Sequence, residues 1–239
     1  MCGRFTLTTP DIEALARFVS ADLDPRLLEH HQPRYNIAPT SVTPLLVAAG
    51  PRRILEPAVW GLPSPFGADK RPGGFINARA ETAATLPSFR DAFARGRCGV
   101  MTDGFFEWTG PKASRRPLWF RRHDGAPMVL AGLYRDASDP ETGEVTRRFA
   151  ILTTRANATL APHHDRMPVI LPLPGLERWL GMARPDALGD LLQPAPDDLL
   201  STTPVSPRVN NVRFDDEGCI TPVTPVTPVI PVIAVIAVA

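Results

Sequence analysis

Apolar residues recur at helical spacing over only a few short stretches of the chain. In the first stretch they lie three or four positions apart, and Thr9 or Asp11 is placed to cap the helix that this spacing predicts. The predicted helices span residues 11–18, 81–93 (interrupted at Pro87), 176–180 and 185–192. Helices therefore account for a small part of the expected structure.

Short apolar or alternating runs, typical of β-strands, occupy much of the remaining chain. Strands are predicted at residues 98–108, 118–122, 128–134 and 149–154, with a loop and then a strand over 34–49 and a short strand at 58–61. Residues 63–74 are rich in Pro and Gly and are expected to form a loop. Many short strands with few helices favour a single α+β domain dominated by antiparallel sheet.

The end of the chain has a different composition. From Thr221 it reads TPVTPVTPVIPVIAVIAVA. A membrane helix needs about 20 apolar residues without frequent prolines, so this run is interpreted as a low-complexity tail rather than a membrane anchor. We predict a domain over residues 2–221 and a Pro/Val-rich tail over 222–239, to which no function is assigned.

Charge and cysteine content narrow the class of protein. The formal net charge is +1, so DNA binding would have to come from a local basic patch rather than from overall charge. The three cysteines, Cys2, Cys98 and Cys219, are an odd number without metal-like spacing, which argues against a disulfide framework or a zinc site. No secretory signal opens the chain, and a cytoplasmic, reducing location is expected.

The first five residues, MCGRF, carry a candidate for covalent chemistry. The small residue after Met1 favours removal of the initiator methionine, which would make Cys2 the N-terminus. A terminal cysteine has two nucleophiles, an amine with a pKa of about 8 and a thiol with a pKa of about 8.5. With an aldehyde, the amine forms an imine and the thiol closes a thiazolidine ring. An internal cysteine cannot do this, although a cysteine at position 2 can also be accidental.

Three further clusters carry chemically useful side chains. In FINARAET, residues 75–82, Asn77 suits the orientation of an amine or a sugar oxygen, and Arg79 suits an anion. In DGFFEW, residues 103–108, Glu107 lies among aromatic residues, which favour a raised carboxyl pKa and proton transfer.

The third cluster joins TTRAN, residues 153–157, to HHDRMP, residues 163–168, where a histidine can act as general acid or base. Taken singly, Glu107 could pair with a surface arginine, and either histidine could be an ordinary loop residue. Together with Cys2 they supply a nucleophile, an acid/base and an anion clamp.

These motifs, in this order, give a specific resemblance. MCGRF, RYNIAPT, WGL, INARAET, DGFFEW, TTRAN, HHDRMPVIL and VSPRVNNVR resemble the SRAP family (SOS response-associated peptidase) over residues 2 to about 221. The resemblance implies a twisted antiparallel β core flanked by short helices and a positively charged DNA channel. It also implies a covalent thiazolidine crosslink to abasic sites in single-stranded DNA, which shields the lesion.

The resemblance assigns roles to individual residues. Cys2 is the crosslinking nucleophile, Asn77 positions it and the sugar, and Glu107 moves protons. The remaining roles fall to His164 in ring opening or imine formation, to Thr153 as a lining residue, and to Arg4, Arg79 and Arg166 as phosphate contacts. No metal or cofactor is required, and the protein is expected to be a monomer that is nucleoid-associated when bound to DNA.

Two positions depart from the family pattern. His163 stands before the active histidine, where an aliphatic residue is usual, so either histidine could act, and spacing favours His164. Phe66 followed by Gly67 replaces a pair of tryptophans that brace the DNA, which leaves a smaller stacking surface. Phe66 is retained as a candidate DNA contact.

Three other functions use the same residues. An N-terminal-nucleophile amidohydrolase also begins Met-Cys-Gly and uses Cys2 on an amide, but DGFFEW and HHDRMP do not fit that pattern. A thiol peptidase would use Cys2 with His164 and Glu107, and loss of Met1 could itself be self-catalysed by Cys2 and Glu107. A non-catalytic DNA-binding module would need no nucleophile at all.

Overall fold

The computed structural model describes residues 2–66, 73–138, 143–181 and 183–224. The strands of this part, in chain order, are β1 (Phe5–Leu7), β2 (Asp22–Leu23), β3 (Arg34–Ile37), β4 (Val42–Ala49), β5 (Arg52–Trp60), β6 (Asn77–Arg79), β7 (Arg97–Thr102), β8 (Gly104–Thr109), β9 (Arg116–Arg122), β10 (Met128–Ser138), β11 (Val145–Arg155), β12 (Arg166–Pro168), β13 (Ile170–Leu171) and β14 (Leu200–Pro204). The α-helices are α1 (Ile12–Phe18), α2 (Pro25–His30), α3 (Ala80–Ala83), α4 (Arg90–Arg95) and α5 (Leu176–Leu180). Short 3-10 helices cover Lys112–Ser114, Leu173–Gly175, Pro185–Leu192, Pro207–Asn210 and Glu217–Cys219.

The strands form two sheets. The smaller is antiparallel, with the order β14-β9-β8-β1-β3. The larger has the order β12-β11-β10-β7-β4-β5-β2, with β13 beside β10 and β6 beside β11. Most of its pairings are antiparallel, but β5 and β6 both run parallel to β11, and β2 runs parallel to β5. The predicted α+β class with mainly antiparallel sheet is confirmed.

The larger sheet closes on itself. Because β11 pairs with β10 on one side and with β5 on the other, the strands β5-β4-β7-β10-β11 form a ring. The closing contact is short and joins Val59 and Trp60 to Arg148 and Phe149. Trp60 is fully buried there, 5.1 Å from the Phe5 ring and 6.5 Å from the Phe149 ring. One hydrophobic core therefore joins the ring to β1 of the smaller sheet.

The helix predictions are mostly confirmed. In α1 the Asp11 carboxylate caps the helix by accepting a hydrogen bond from the Ala14 amide at 2.7 Å. The chain between α3 and α4 is broken around Pro87, as expected, and α5 matches its prediction. The predicted helix at 185–192 is a 3-10 helix, and α2 was missed because six residues are too short to show a period.

Some strand predictions need correction. The predicted strand at 98–108 is two strands, β7 and β8, which turn at Asp103 and belong to different sheets. The predicted piece at 58–61 is the end of the longer β5, and β14 was not predicted. Part of the predicted 63–74 loop, residues 67–72, lies outside the described residues, as do Met1 and tail residues 225–239. No helix among the described residues is long and apolar enough to cross a membrane.

Candidate active site

The pairing of β1 with β8 brings Cys2 beside Glu107. Phe5 pairs with Phe105, and the Phe106 amide donates to the Arg4 carbonyl at 3.0 Å. One step further along this antiparallel ladder, Glu107 lies opposite the residue that follows Cys2. The Cys2 side chain is fully buried, and its thiol donates a long hydrogen bond of 3.6 Å to the Arg4 carbonyl.

Asn77 joins the larger sheet to this residue. It begins β6, which runs parallel to β11 with Asn77 beside Ile151. Its Nδ2 donates to the Cys2 carbonyl at 2.9 Å, so the chain start is held from both sheets. The Asn77 Oδ1 is buried and has no hydrogen-bond partner within the described ranges. The site therefore contains an acceptor whose capacity is not yet used.

Burial controls the protonation of both reactive groups. Glu107 is almost fully buried, and this burial raises the pKa of its carboxyl, while the nearby His164 and Arg115 partly oppose the rise. Burial likewise raises the pKa of the Cys2 thiol far above its usual range, and the Glu107 carboxylate raises it further. A carboxyl whose pKa is raised by burial is suited to proton transfer, and the buried thiol needs a base to become a thiolate.

The two adjacent histidines have different surroundings. The Nδ1 of His164 accepts the Arg166 amide at 2.9 Å, which places the ring proton on Nε2 when the ring is neutral. If the ring is protonated, Asp165 Oδ1 lies 2.9 Å from the same nitrogen as an ion-pair partner. His163 instead packs against the Phe120 ring at 5.9 Å, and its Nδ1 is buried without a partner among the described residues. The charge of His164 acts on Glu107 and partly opposes the rise of its pKa. The choice of His164 as the acting histidine stays a prediction.

Arg166, expected to contact phosphate, already holds an anion. Its two terminal nitrogens donate to both carboxylate oxygens of Glu81, at 2.6 and 2.7 Å. Nη2 also donates to the Thr153 carbonyl at 2.5 Å. Thr153 is fully buried in β11, and its hydroxyl donates weakly to the Ala78 carbonyl at 3.4 Å. Thr153 thus helps to fix the Arg166 side chain at this edge of the site.

The other candidate DNA contacts differ in accessibility. Arg79 is exposed, as a phosphate contact requires. Arg4 is half-buried, and its Nη1 donates to Asn36 Oδ1 at 2.7 Å and to the Val209 carbonyl at 2.9 Å. Burial lowers the pKa of the Arg4 guanidinium. Phe66 is 72% exposed, so its ring is available for stacking.

Two parts of the site were not predicted from the sequence, a cleft that Arg115 helps to line and the carboxylate of Glu81 that pairs with Arg166. A cleft of about 480 Å³ beside the chain start is lined by Gly3, Arg4, Trp108, Ala113, Ser114, Arg115 and Asn210. The Trp108 indole donates to Asn210 Oδ1 at 2.6 Å across this cleft. Arg115 lies in a segment without periodicity, and Glu81 looked like an ordinary helix residue, so neither carried a local signal. No group of acidic, histidine or cysteine side chains that could hold a metal ion occurs in the described part of the chain.

Comparison with known proteins identifies relatives along nearly the whole chain. The sequence profile of the family described as SOS response associated peptidase (SRAP) matches residues 1–212. Abasic site processing protein YoqW of Bacillus subtilis is 36% identical over 217 residues, covering 88% of this chain and 95% of that protein. Abasic site processing protein YedK of Escherichia coli is 32% identical over 231 residues, covering 93% of this chain and 100% of that protein.

Solved structures show the same fold. A crystal structure of a Bacteroides thetaiotaomicron protein superposes with a TM-score of 0.81 at 23% identity, covering 93% of this chain and 100% of that one. A second, from Bordetella bronchiseptica, gives a TM-score of 0.72 at 26% identity, covering 86% and 100%. From the matched profile and the two curated relatives together, the chain belongs to the SRAP family.

Proposed function

We propose that this protein processes abasic sites in single-stranded DNA by forming a thiazolidine crosslink through Cys2. The curated relatives are named abasic site processing proteins, which supports the lesion as substrate. The observation that carries the chemistry is the position of Cys2, buried beside Glu107 and held through its carbonyl by Asn77. This arrangement fits a nucleophile whose amine and thiol act in one place.

The proposed reaction uses two groups of one residue. Once Met1 has been removed, the Cys2 amine adds to the aldehyde carbon of the ring-opened sugar. Loss of the aldehyde oxygen as water gives an imine. The Cys2 sulfur then adds to the imine carbon while the thiol proton passes to the nitrogen, which closes the ring. The net change is one new C–N bond, one new C–S bond and one released water.

Proton transfers are assigned to the buried acid and the histidine. Glu107, whose pKa is raised by burial, can protonate the leaving oxygen and later accept the thiol proton. His164, with its Nδ1 occupied by the Arg166 amide, offers Nε2 for opening the sugar ring. The unused Asn77 Oδ1 can accept a hydrogen bond from the Cys2 amine or a sugar hydroxyl. The same Cys2–Glu107 pair is proposed to catalyse hydrolysis of the Met1–Cys2 peptide bond, in which one water is consumed and free methionine and the free Cys2 amine are formed.

Phosphate binding is assigned to arginines at the edge of the site. Arg79 is exposed and follows Asn77 by two residues on β6, so both side chains fall on the same face of that strand. Contacts of this kind are independent of base identity and weaken with salt. The lesion has no base, so recognition through backbone and sugar suits the substrate.

The test is a denaturing gel of purified protein mixed with single-stranded DNA that carries one abasic site. A heat-stable shifted band is expected for the wild type. No such band is expected for Cys2→Ser or for a variant with one residue added before Cys2, while mass spectrometry reports loss of Met1. A duplex carrying the same lesion tests strand preference.

Variants of the two histidines complete the test. His164→Gln is expected to slow crosslinking by about 10²-fold, the usual size of a general acid–base contribution. His163→Leu, which restores an aliphatic residue against Phe120, is expected to leave the rate within about twofold, since that ring is not needed for proton transfer. Absence of a wild-type band despite complete loss of Met1 would overturn the proposal. Glutamine and peptide hydrolysis would then be measured.

A further inference from the structure

Glu81 occupies the face of Arg166 that a phosphate would need. A carboxylate and a phosphate both bind the guanidinium fork through two oxygens, so the two anions compete for one position. The Arg166 side chain is only 13% exposed, whereas the Glu81 side chain is 50% exposed. The carboxylate is therefore the member of the pair that can move into solvent while the arginine stays in place.

Hydrogen bonds to neighbouring residues hold Arg166 in a position where its guanidinium can bind an anion. The Thr153 carbonyl holds one end of the guanidinium, and the Arg166 amide is bonded to His164. Arg79 is aligned with Thr153 across β6 and β11, and its positive charge also acts on Glu81. Two arginines thus face a single carboxylate at the edge of the site.

We propose that Glu81 is a specificity-determining residue that stands in for a DNA phosphate on Arg166, so that an undamaged strand gains this phosphate contact only when Glu81 is displaced. This rests on the function proposed above. Exchanging one anion for another gains little, and the displaced Glu81 remains near the phosphate and repels it. Undamaged single strands therefore bind weakly and leave. An abasic site is retained because the covalent bond, rather than the phosphate contact, holds it.

A purely structural role for Glu81 makes the opposite prediction. If Glu81 only positions Arg166, its loss weakens DNA binding. If it competes with phosphate, its loss strengthens binding and adds one ionic contact. The number of such contacts is read from the slope of log K against log salt, which changes by about 0.7 for each phosphate bound on a single strand.

The experiment measures binding of a fluorescein-labelled, undamaged oligo-dT by anisotropy over a series of salt concentrations. Glu81→Gln is expected to bind about tenfold more tightly at low salt, with a slope steeper by about 0.7. Glu13→Gln is the matched control, because Glu13 is an exposed residue of α1 that pairs with Arg17. It removes the same charge and is expected to leave the slope unchanged.

A double variant isolates the mechanism. In the Arg166→Gln background, Glu81→Gln is expected to leave the slope as it is, since no guanidinium remains to be uncovered. Weaker binding by Glu81→Gln, or an unchanged slope, would overturn the competition. These measurements use DNA without a lesion, so they do not depend on crosslinking. A wild type that crosslinks while Glu81→Gln fails to tighten binding leaves the proposed function intact and removes the role of Glu81.

Discussion

The two ends of strand β1 use polar groups in opposite ways. At its C-terminal end, the Asp103 carboxylate accepts the Thr6 hydroxyl at 2.5 Å, the Thr8 amide at 2.5 Å and the Thr8 hydroxyl at 2.7 Å. At its N-terminal end, the Cys2 thiol makes one long hydrogen bond, and Asn77 keeps an unused oxygen. At the C-terminal end the carboxylate accepts three hydrogen bonds, whereas at the N-terminal end Asn77 Oδ1 has no hydrogen-bond partner among the described residues. We call these the saturated end and the reactive end.

The Asp103 end of β1 therefore stabilises the fold, and the Cys2 end carries the groups that are proposed to react. A partly buried carboxylate that accepts three hydrogen bonds, as Asp103 does, holds a fixed geometry, because any movement weakens one of them. The saturated Asp103 end fixes the register of β1 against β8, and that register places Cys2 beside Glu107. The reactive end then has groups available for a substrate. The comparison predicts that substitutions at one end affect chemistry and substitutions at the other affect stability.

The largest effect is expected at the reactive end, in Glu107→Gln. The amide keeps the shape of the side chain but cannot exchange protons at neutral pH. The crosslinking rate should fall by about 10²- to 10⁴-fold. Single-turnover gels with abasic single-stranded DNA measure this rate, and thermal unfolding confirms that the variant folds. A rate within threefold of the wild type would show that Glu107 does not transfer the proton.

The next effect is expected at the saturated end, in Asp103→Asn. The new amide presents donors to groups that already donate, so the free energy of unfolding should fall by about 2–3 kcal/mol. Urea denaturation measures the loss, and Asp165→Asn serves as control, since that carboxylate is 84% exposed. The crosslinking rate of the folded fraction should stay near that of the wild type. A selective loss of rate without a loss of stability would break the comparison.

The smallest effect is a dependence of stability on pH that Glu107 contributes. Because burial raises its pKa in the folded protein, the native state holds this proton over a pH range in which the unfolded chain has lost it. The free energy of unfolding therefore falls as pH rises from about the ordinary value of 4.5 through the raised pKa. The total contribution is about 1.4 kcal/mol per unit of pKa difference. In Glu107→Gln this fall should be absent, which urea curves at several pH values would show.

Local patterns in the sequence pointed to residues that the structure brings together, but they predicted the sheet architecture less well. Asn77, Glu107 and His164 belong to short motifs, and all three lie around Cys2 or act on its neighbour. Local patterns also placed α1, because its cap and spacing are encoded within one segment. The catalytic roles of Asn77, Glu107 and His164 remain predictions.

The misses share a physical cause. The division of residues 98–108 between two sheets depends on the bonds that Asp103 makes with Thr6 and Thr8, almost a hundred positions away in the chain. The pairing of Glu81 with Arg166 likewise spans 85 positions. The sequence of one segment gives no information about a partner so far away in the chain. For this reason neither the turn at Asp103 nor the Glu81–Arg166 ion pair could be predicted.

The ring of five strands has a consequence for the order in which the protein is made. Its closing contact joins Trp60 to Phe149, and His164 follows later still. A ribosome adds about 5–20 residues per second, so roughly 10–30 s separate the synthesis of Cys2 from that of His164. Until Phe149 has been made, the ring of strands cannot close. Synthesis thus delivers the reactive residue well before the part of the chain that controls it.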